Sequence, residues 1–437
     1  MRHSVTVGYL LIALVFAIAT STRLAADDNE RPPIEYSRGT PDNCVSKLQS
    51  RLESGQSRLE YSDRLGFLPA LLRALDVPVE SQLLVFSKTS LQRHRISPRT
   101  PRAIYFDDEV YVGYCRSGEV LEVSSVDPQL GAVFYTLEQK PADHPILQRQ
   151  TENCLICHSS SRTESVPGHL VRSLFVDAGG QPILSAGSYS VDHSTPLERR
   201  WGGWYVTGTH GSQTHLGNLI IRGQDVRQPV DNAQGQNVTG LANRLEVQEY
   251  LTPHSDLIAL MVLEHQTLVH NRLTKANFAA RQALHYQLEV NRALGDPQDK
   301  RMESTTHRIQ SAGNDLVDAL VMVDETRLTA PIRGTSNYSN NFSKQGPRDS
   351  QGRSLRDLDL QRRLFKYPCS YLIYSPAFDG LPREMRDYVW HRLWDVLANP
   401  NGARFKHLSP EDHRAIIEIL QATKPGLPEY WTASAGA

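Results

Sequence analysis

The spacing of apolar residues changes twice along this 437-residue chain, and the order of the changes restricts the fold more than any other feature of the sequence. Val45, Leu48 and Leu52 recur at helical spacing. Between residues 82 and 137, short runs of β-branched and aromatic residues are separated by turn signals such as Ser117-Gly118. Beyond about residue 240 the spacing is helical again. A helix followed by strands and then by helices predicts an α+β fold.

The same patterns predict individual elements. Strands are expected at 83–86, 103–106, 110–114, 120–123 and 132–137, and weaker strand patterns follow at 170–176, 182–185, 201–206 and 216–221. Helices are expected at 255–294 with Ser255 as the N-cap, at 314–327, 354–365 and 383–398, and at a last segment that opens with Ser409-Pro410-Glu411. The polar loop at 224–240 is the best candidate boundary, which gives a mixed α/β region at 44–230 and a mainly helical region at 231–437.

The N-terminus predicts export. Met1, Arg2 and His3 form a short basic start, an apolar run covers 5–19, and small residues follow up to Ala26. A run of this length is short of the roughly 20 residues that span a bilayer, so we interpret 1–26 as a signal peptide and 27–43 as an extended lead-in. The alternative is a retained N-terminal anchor. The sequence contains no second apolar run of that length, so we expect no transmembrane segment after the signal is removed and an exported, periplasmic location.

Charge excludes some partners. Lys and Arg number 47 and Asp and Glu number 48, which gives a net charge of −1 at pH 7. A nearly neutral chain has no global field to hold nucleic acid or an anionic membrane.

The chemistry of the chain is concentrated in the pentapeptide Cys154-Leu155-Ile156-Cys157-His158. Two thiols separated by two residues can add across the two vinyl groups of a haem, and the adjacent histidine then meets the iron. The alternatives are a thioredoxin-like redox pair, a zinc site, or a disulfide or buried-thiol pair. The sequence leaves open whether the remaining cysteines (Cys44, Cys115, Cys369) form one disulfide and a free thiol or three buried thiols.

This pentapeptide resembles the attachment motif of c-type cytochromes. The resemblance implies one covalent haem c, held by Cys154 and Cys157, with His158 as the proximal iron ligand. Further segments, RTPR at 99–102, WGGWY at 201–205, HLGN at 215–218 and YPCSY at 367–371, are similar to those of a group of large exported proteins with a single cytochrome domain. That second resemblance covers most of the chain and implies one integrated unit, without adding a mechanism.

The chain departs from the small cytochromes c, which are compact helical domains with a methionine as the sixth iron ligand. No methionine lies between Cys157 and Met261, and the segment after the motif has strand patterns. We therefore expect a strand-rich haem-bearing region, not the small all-helical fold. The sixth position is predicted to hold a histidine or to be vacant, with the His210 and His215 loop ranked first and His169 second. The alternatives are an exposed polar loop for the first pair and a surface turn for His169.

Other features have plainer interpretations. Met261, His265 and Leu268 share one helix face, which is typical of core packing with a hydrogen-bonded histidine. Trp201 and Trp204 are interpreted as core residues rather than as a wall against a haem.

Three functions remain. Electron transfer through the haem, with an unknown redox partner protein, is the leading interpretation. A peroxidase-like haem enzyme needs an open sixth position with proton-handling and charge-stabilising groups, for which the chain offers the residue types (Arg172, His193, Arg199, Arg200) without a distinctive spacing. A haem-based sensor or binding module is the third, because the helical region is larger than electron transfer requires.

Overall fold

A six-stranded antiparallel sheet forms the strand-rich half of the protein. The computed structural model describes residues 28–432 except 224, 227–229 and 400–401, so the predicted signal peptide lies outside the described residues. The strands are β1 Leu83–Val85, β2 Arg102–Phe106, β3 Val110–Tyr114, β4 Val120–Asp127, β5 Gly131–Glu138 and β6 Leu147–Gln150. Each strand pairs with the next one along the chain. The first five strands confirm the sequence prediction, and β6 was not predicted.

The two faces of this sheet pack on different layers. Successive residues of a strand point to opposite faces, so Val112 and Val123 pack with residues of the two N-terminal helices, such as Leu48 and Leu71. Tyr111, on the opposite face, packs with the long helix described below. Across that second face, Tyr111 on β3 is paired with Ser124 on β4, which is paired with Phe134 on β5.

The helices are α1 Cys44–Glu53, α2 Leu68–Ala74, α3 Leu155–His158, α4 Leu257–Leu294, α5 Glu303–Leu320, α6 Tyr338–Lys344, α7 Pro376–Asp379, α8 Arg383–Ala398, α9 Pro410–Thr423 and α10 Glu429–Thr432. Most of them follow the sheet in the chain. The α+β prediction is confirmed: the N-terminal region is rich in strands, the C-terminal region is helical, and the fold is not a small all-helical one.

Helix α4 connects the two regions. Its 38 residues extend about 57 Å. The Asp256 carboxylate accepts hydrogen bonds from the N–H groups of Ile258 and Ala259 and so replaces the predicted cap, Ser255. The helix ends at Gly295, where φ is 71°, a backbone conformation that glycine adopts without a steric cost. Met261 and His265 are buried in the core, as their shared face predicted.

The weak strand patterns between 170 and 221 were wrong for most of their length. Only the short pairs β7 Arg172–Ser173 with β8 Tyr189–Ser190, and β9 Gly208–Thr209 with β10 Arg333–Gly334, form in or near this segment. The backbone is satisfied by other partners: the amide of Val206, for example, donates to the side chain of Asn218. Trp201 and Trp204 are buried, as predicted.

Two helix predictions also need correction. Helix α5 begins and ends earlier than the predicted 314–327, because the chain leaves helical geometry at Met322, where φ is 58°. Segment 354–365 is not a helix. The Asp359 carboxylate accepts hydrogen bonds from the backbone N–H groups of Gln361 and Arg362, which favours a turn over a helix. Helix α8 and the Ser409 cap of α9 confirm their predictions.

Within the described part of the chain, no helix is both long enough and apolar enough to cross a membrane.

Candidate cofactor site

The Cys-x-x-Cys-His segment follows β6 and forms the single turn of α3. The amide of His158 donates to the carbonyl of Cys154 at 3.0 Å, which fixes the histidine beside the first cysteine. All five cysteines lie in the described residues and are free thiols. Cys154 is half-buried, and this burial raises its pKa to about 11, whereas Cys157 is exposed. Between them, the side chain of Ile156 is left 76% exposed. Neither thiol is therefore tied up in a disulfide, and the apolar side chain of Ile156 beside them is exposed to solvent.

The imidazole of His158 is held in one orientation. Its Nδ1 lies 2.9 Å from the carbonyl oxygen of Gly168, which can only accept, so Nδ1 carries the proton and Nε2 has the lone pair. No other described residue forms a hydrogen bond with Nε2. Burial lowers the pKa of His158, and its ring packs against Phe134 at a centroid distance of 4.8 Å. A neutral imidazole with a free Nε2 is the form that binds a metal.

The loop between His158 and His169 is clamped to α4 by Asn271. The side-chain oxygen of Asn271 accepts from the His169 amide at 2.9 Å, and its nitrogen donates to the His169 carbonyl at 2.7 Å. Gly168 lies so close that a Cβ atom there would be 2.3 Å from the Asn271 oxygen. Glu164, in the same loop, forms ion pairs of 2.8 Å with Arg272 and Lys275. Contacts between α4 and this loop therefore fix the orientation of His158.

His169 lies beside this group but is engaged in the core. Its Nε2 is 2.9 Å from the Ser124 hydroxyl, and its ring packs against that of Tyr111 at a centroid distance of 4.1 Å and a tilt of 33°. Burial holds the pKa of His169 well below its usual value, and the neighbouring His270 and His158 lower that pKa further. Its Nδ1 is buried without a hydrogen-bond partner. Contacts with the sheet through Ser124 and with α4 through Asn271 therefore hold His169 in the core.

His210 and His215 lie together, with ring centroids 4.7 Å apart. Nε2 of His210 accepts from the amide of Asn237, and Nδ1 of His215 accepts from the amide of Gly217, both at 3.0 Å. Burial and the adjacent His210 lower the pKa of His215 to about 3. Both histidines are buried, although Gly211, Ser212 and Thr214 between them are exposed. Among the described residues, no ring contact or hydrogen bond joins this pair to His158.

The four residues considered for catalysis lie in two separate parts of the structure. Arg200 is buried and pairs with Glu264 at 2.8 Å, and Trp201 also donates to Glu264. His193 is buried, with Nδ1 at 3.1 Å from Nδ1 of His265. Arg172 and Arg199 lie instead near the surface, on or against the β7–β8 hairpin. The satisfied, buried histidine predicted for His265 is confirmed, since its Nε2 also bonds to a serine hydroxyl at 2.8 Å.

Sequence reasoning missed Asn271 and Gly168. Gly168 carried a signal, because it stands in Val166-Pro167-Gly168 directly after the motif segment. Asn271 is a polar residue on the buried side of a helix, a pattern that does not reveal its partner. In the described ranges, no group of three or more His, Cys, Asp or Glu side chains is arranged to hold a bare metal ion.

Comparison with known proteins found no matching family model, no similar curated protein and no similar solved structure.

Proposed function

We propose that this chain is an exported c-type cytochrome with a single covalent haem and that it transfers electrons. The observation that supports this most is the state of His158. A ring whose Nδ1 donates to a backbone carbonyl and whose Nε2 has no hydrogen-bond partner among the described residues has the arrangement of a metal-ligating histidine.

The residues at the motif fit the cofactor. Cys154 and Cys157 are free thiols and would hold the haem through two thioether bonds, and His158 would ligate the iron through Nε2. When bound, the haem supplies one-electron exchange between ferric and ferrous iron.

The chain's own residues contribute orientation and shielding. Gly168 keeps the proton on Nδ1 of His158, and Phe134 packs against the ring. Cys157 is exposed, so one edge of the site stays accessible to a redox partner protein. Signal cleavage and a periplasmic location belong to the same proposal and rest on the sequence of residues 1–26.

The sixth position is proposed to be vacant or occupied by a histidine rather than a methionine. Met261, Met322 and Met385 are packed in the core, and Met302 is half-buried at the start of α5. His169 is buried with its Nε2 at 2.9 Å from the Ser124 hydroxyl, and His210 is buried with its Nε2 bonded to a backbone amide. These contacts, together with the hydrogen bond from the Gly217 amide to Nδ1 of His215, favour a vacant position over the three ranked histidines.

A vacant sixth position would also suit a second candidate function, that of a haem enzyme of the peroxidase type or a haem-based sensor. Spectra separate the two. A low-spin haem that does not respond to carbon monoxide or peroxide supports electron transfer, whereas a high-spin haem that binds either reagent supports catalysis or sensing.

The experiment that tests the proposal is replacement of both motif thiols. Cys154→Ala/Cys157→Ala should yield protein without covalent haem after acid–acetone extraction. Cys44→Ala, which removes another half-buried free thiol, is the matched control and should retain the haem. A double variant that keeps acid-resistant haem contradicts the proposal.

A further inference from the structure

The loop between β1 and β2 carries a concentration of positive charge. The 26 residues from Ser81 to Phe106 include five lysines and arginines and no aspartate or glutamate. Four of the five lie between 88 and 99, a segment that we call the basic loop (Lys88, Arg93, Arg95, Arg99). The net charge of the whole chain is −1, so the positive charge is a local feature of this surface.

Most of this charge is not neutralised within the protein. Arg95 forms an ion pair with Glu119 at 2.6 Å. In the part of the chain that the structure describes, no carboxylate lies within ion-pair distance of Lys88, Arg93 or Arg99. Arg93 and Arg99 are exposed, and Lys88 is half-buried. Three positive charges of the basic loop are therefore available to a partner.

The carboxylates around the basic loop do not cancel this excess. Those on and beside the turn between β3 and β4 are already paired (Glu122 with Arg102, Glu138 with Lys140, Glu246 and Glu249 with Arg116). Asp177 lies in a loop that contacts the basic loop, where the Lys88 amide donates to the Gly180 carbonyl at 2.9 Å. Even when Asp177 is counted against the three unpaired cations, the surface remains positive.

The basic loop is held in one conformation. The Gln92 side chain is buried, and its Nε2 donates to the Val120 carbonyl at 3.0 Å. Its Oε1 accepts from the amides of Glu119 and Val120 at 2.8 and 3.2 Å. Two backbone hydrogen bonds between Ser97 and Thr100 close a turn further along the loop. A charged surface that is already ordered loses little conformational entropy when it binds.

The chemistry of the basic loop favours carboxylates of another protein as its partner. Three of its four cations are arginines, whose planar guanidinium binds a carboxylate through two parallel hydrogen bonds. Leu91, in the same loop, is 54% exposed, and protein interfaces combine an apolar centre with arginines. Segments that bind anionic lipid carry about 4–8 clustered lysines and arginines, more than the three unpaired cations of this loop. Nucleic acid is disfavoured by the nearly neutral net charge of the chain.

We propose that the basic loop is the docking surface for an acidic protein. Arg93 and Arg99 bind carboxylates of that partner, Lys88 adds a further positive charge, and Leu91 packs at the centre of the contact. The surface is formed by side chains of the polypeptide alone, so the inference goes beyond the proposed function and does not depend on a bound haem.

The test measures binding of fluorescently labelled poly-L-glutamate to the purified protein by fluorescence anisotropy, at low salt where exposed charges are least screened. Lys88→Gln/Arg93→Gln/Arg99→Gln should weaken binding by about tenfold or more, which is the combined effect of three exposed ion pairs. The matched control is Arg51→Gln/Arg327→Gln/Arg414→Gln, which removes the same charge from three exposed arginines on separate parts of the chain. This control should leave the affinity nearly unchanged.

Two further measurements separate the kinds of partner. Arg93→Lys/Arg99→Lys keeps the charge and should still weaken poly-L-glutamate binding by a few fold, because an ammonium group cannot make the paired hydrogen bonds of a guanidinium. At about 0.15 M salt, the protein should neither float with phosphatidylglycerol vesicles nor bind a duplex oligonucleotide, because only three unpaired cations face them.

The proposal is overturned if the triple variant of the basic loop and its control bind poly-L-glutamate equally, or if Arg93→Lys/Arg99→Lys binds as tightly as the unaltered protein. Vesicle flotation or duplex binding that the triple variant abolishes would also overturn it, and would assign the loop to a membrane surface or to nucleic acid instead. Urea unfolding of each variant verifies that the loss of binding is not a loss of the fold.

Discussion

Asn271 should control both the stability of the motif loop and the properties of the bound haem. In Asn271→Leu, a side chain of similar size replaces the amide, and the N–H and carbonyl groups of His169 lose partners at 2.9 and 2.7 Å. A buried polar group left without a partner costs about 1–3 kcal/mol. Two such groups should lower the free energy of unfolding by about 2–6 kcal/mol.

The same substitution should raise the midpoint potential. Once His169 is released, the adjacent Gly168 carbonyl holds Nδ1 of His158 less firmly. A weaker hydrogen bond from Nδ1 makes the imidazole less basic, which destabilises ferric iron relative to ferrous iron. Urea unfolding of the holoprotein measures the first effect, and a redox titration measures the second.

Asn277 provides the matched control. It is buried on the same helix, and its side chain donates to the carbonyls of Pro128 and Gly380 at 3.0 and 3.3 Å. Asn277→Leu should destabilise the protein and leave the potential unchanged. The reasoning is refuted if Asn271→Leu costs less than about 1 kcal/mol, or if both variants move the potential equally.

Three other outcomes are expected. Glu264→Leu should lower the free energy of unfolding by about 3–5 kcal/mol, because it leaves Arg200 buried and charged without its partner. Arg200→Met should cost less, because the buried Glu264 can gain a proton and become neutral, whereas a buried arginine cannot lose its proton. Urea unfolding that gives the reverse order would contradict this. Burial lowers the pKa of His193 to about 4, so between pH 6.5 and 4 only the unfolded chain binds this proton, and His193 should account for up to about 3 kcal/mol of the fall in the free energy of unfolding as the pH is lowered through that range. His193→Gln should remove this share of the slope while the other buried histidines keep theirs, and equal slopes would exclude His193 as a cause. The oxidised protein should lack the far-red charge-transfer band of a thioether–iron bond, and Met261→Leu should leave its spectrum unchanged; a clear band that this variant abolishes would make Met261 the sixth ligand.

Strong local patterns were enough to predict much of the fold. Strand β3 and helix α8 have the predicted limits, because a run of β-branched and aromatic residues in one and helical spacing in the other agree with their final environments. Segment 354–365 failed because side-chain hydrogen bonds of Asp359 form a turn that apolar spacing does not reveal. The weak strands after residue 170 failed because their backbone partners are loops and side chains distant in sequence.

The candidate site likewise contains residues that a local pattern predicts and residues that depend on distant partners. The thiols and His158 are adjacent in sequence, so a short motif was sufficient to identify them. Asn271 contacts the loop that holds His158 from a position 102 residues beyond His169. Such residues carry no local pattern, because their role depends on which strand face and which helix face meet in the folded chain.

The central claim is that a haem is bound covalently at Cys154 and Cys157. Mass spectrometry of the tryptic peptide 150–162, from protein exported in a host that matures c-type cytochromes, tests it directly. The account predicts that this peptide carries the mass of one haem, that both thiols resist alkylation, and that no other cysteine-containing peptide is modified. An unmodified peptide with two alkylated thiols, from protein matured in that host, would contradict the account.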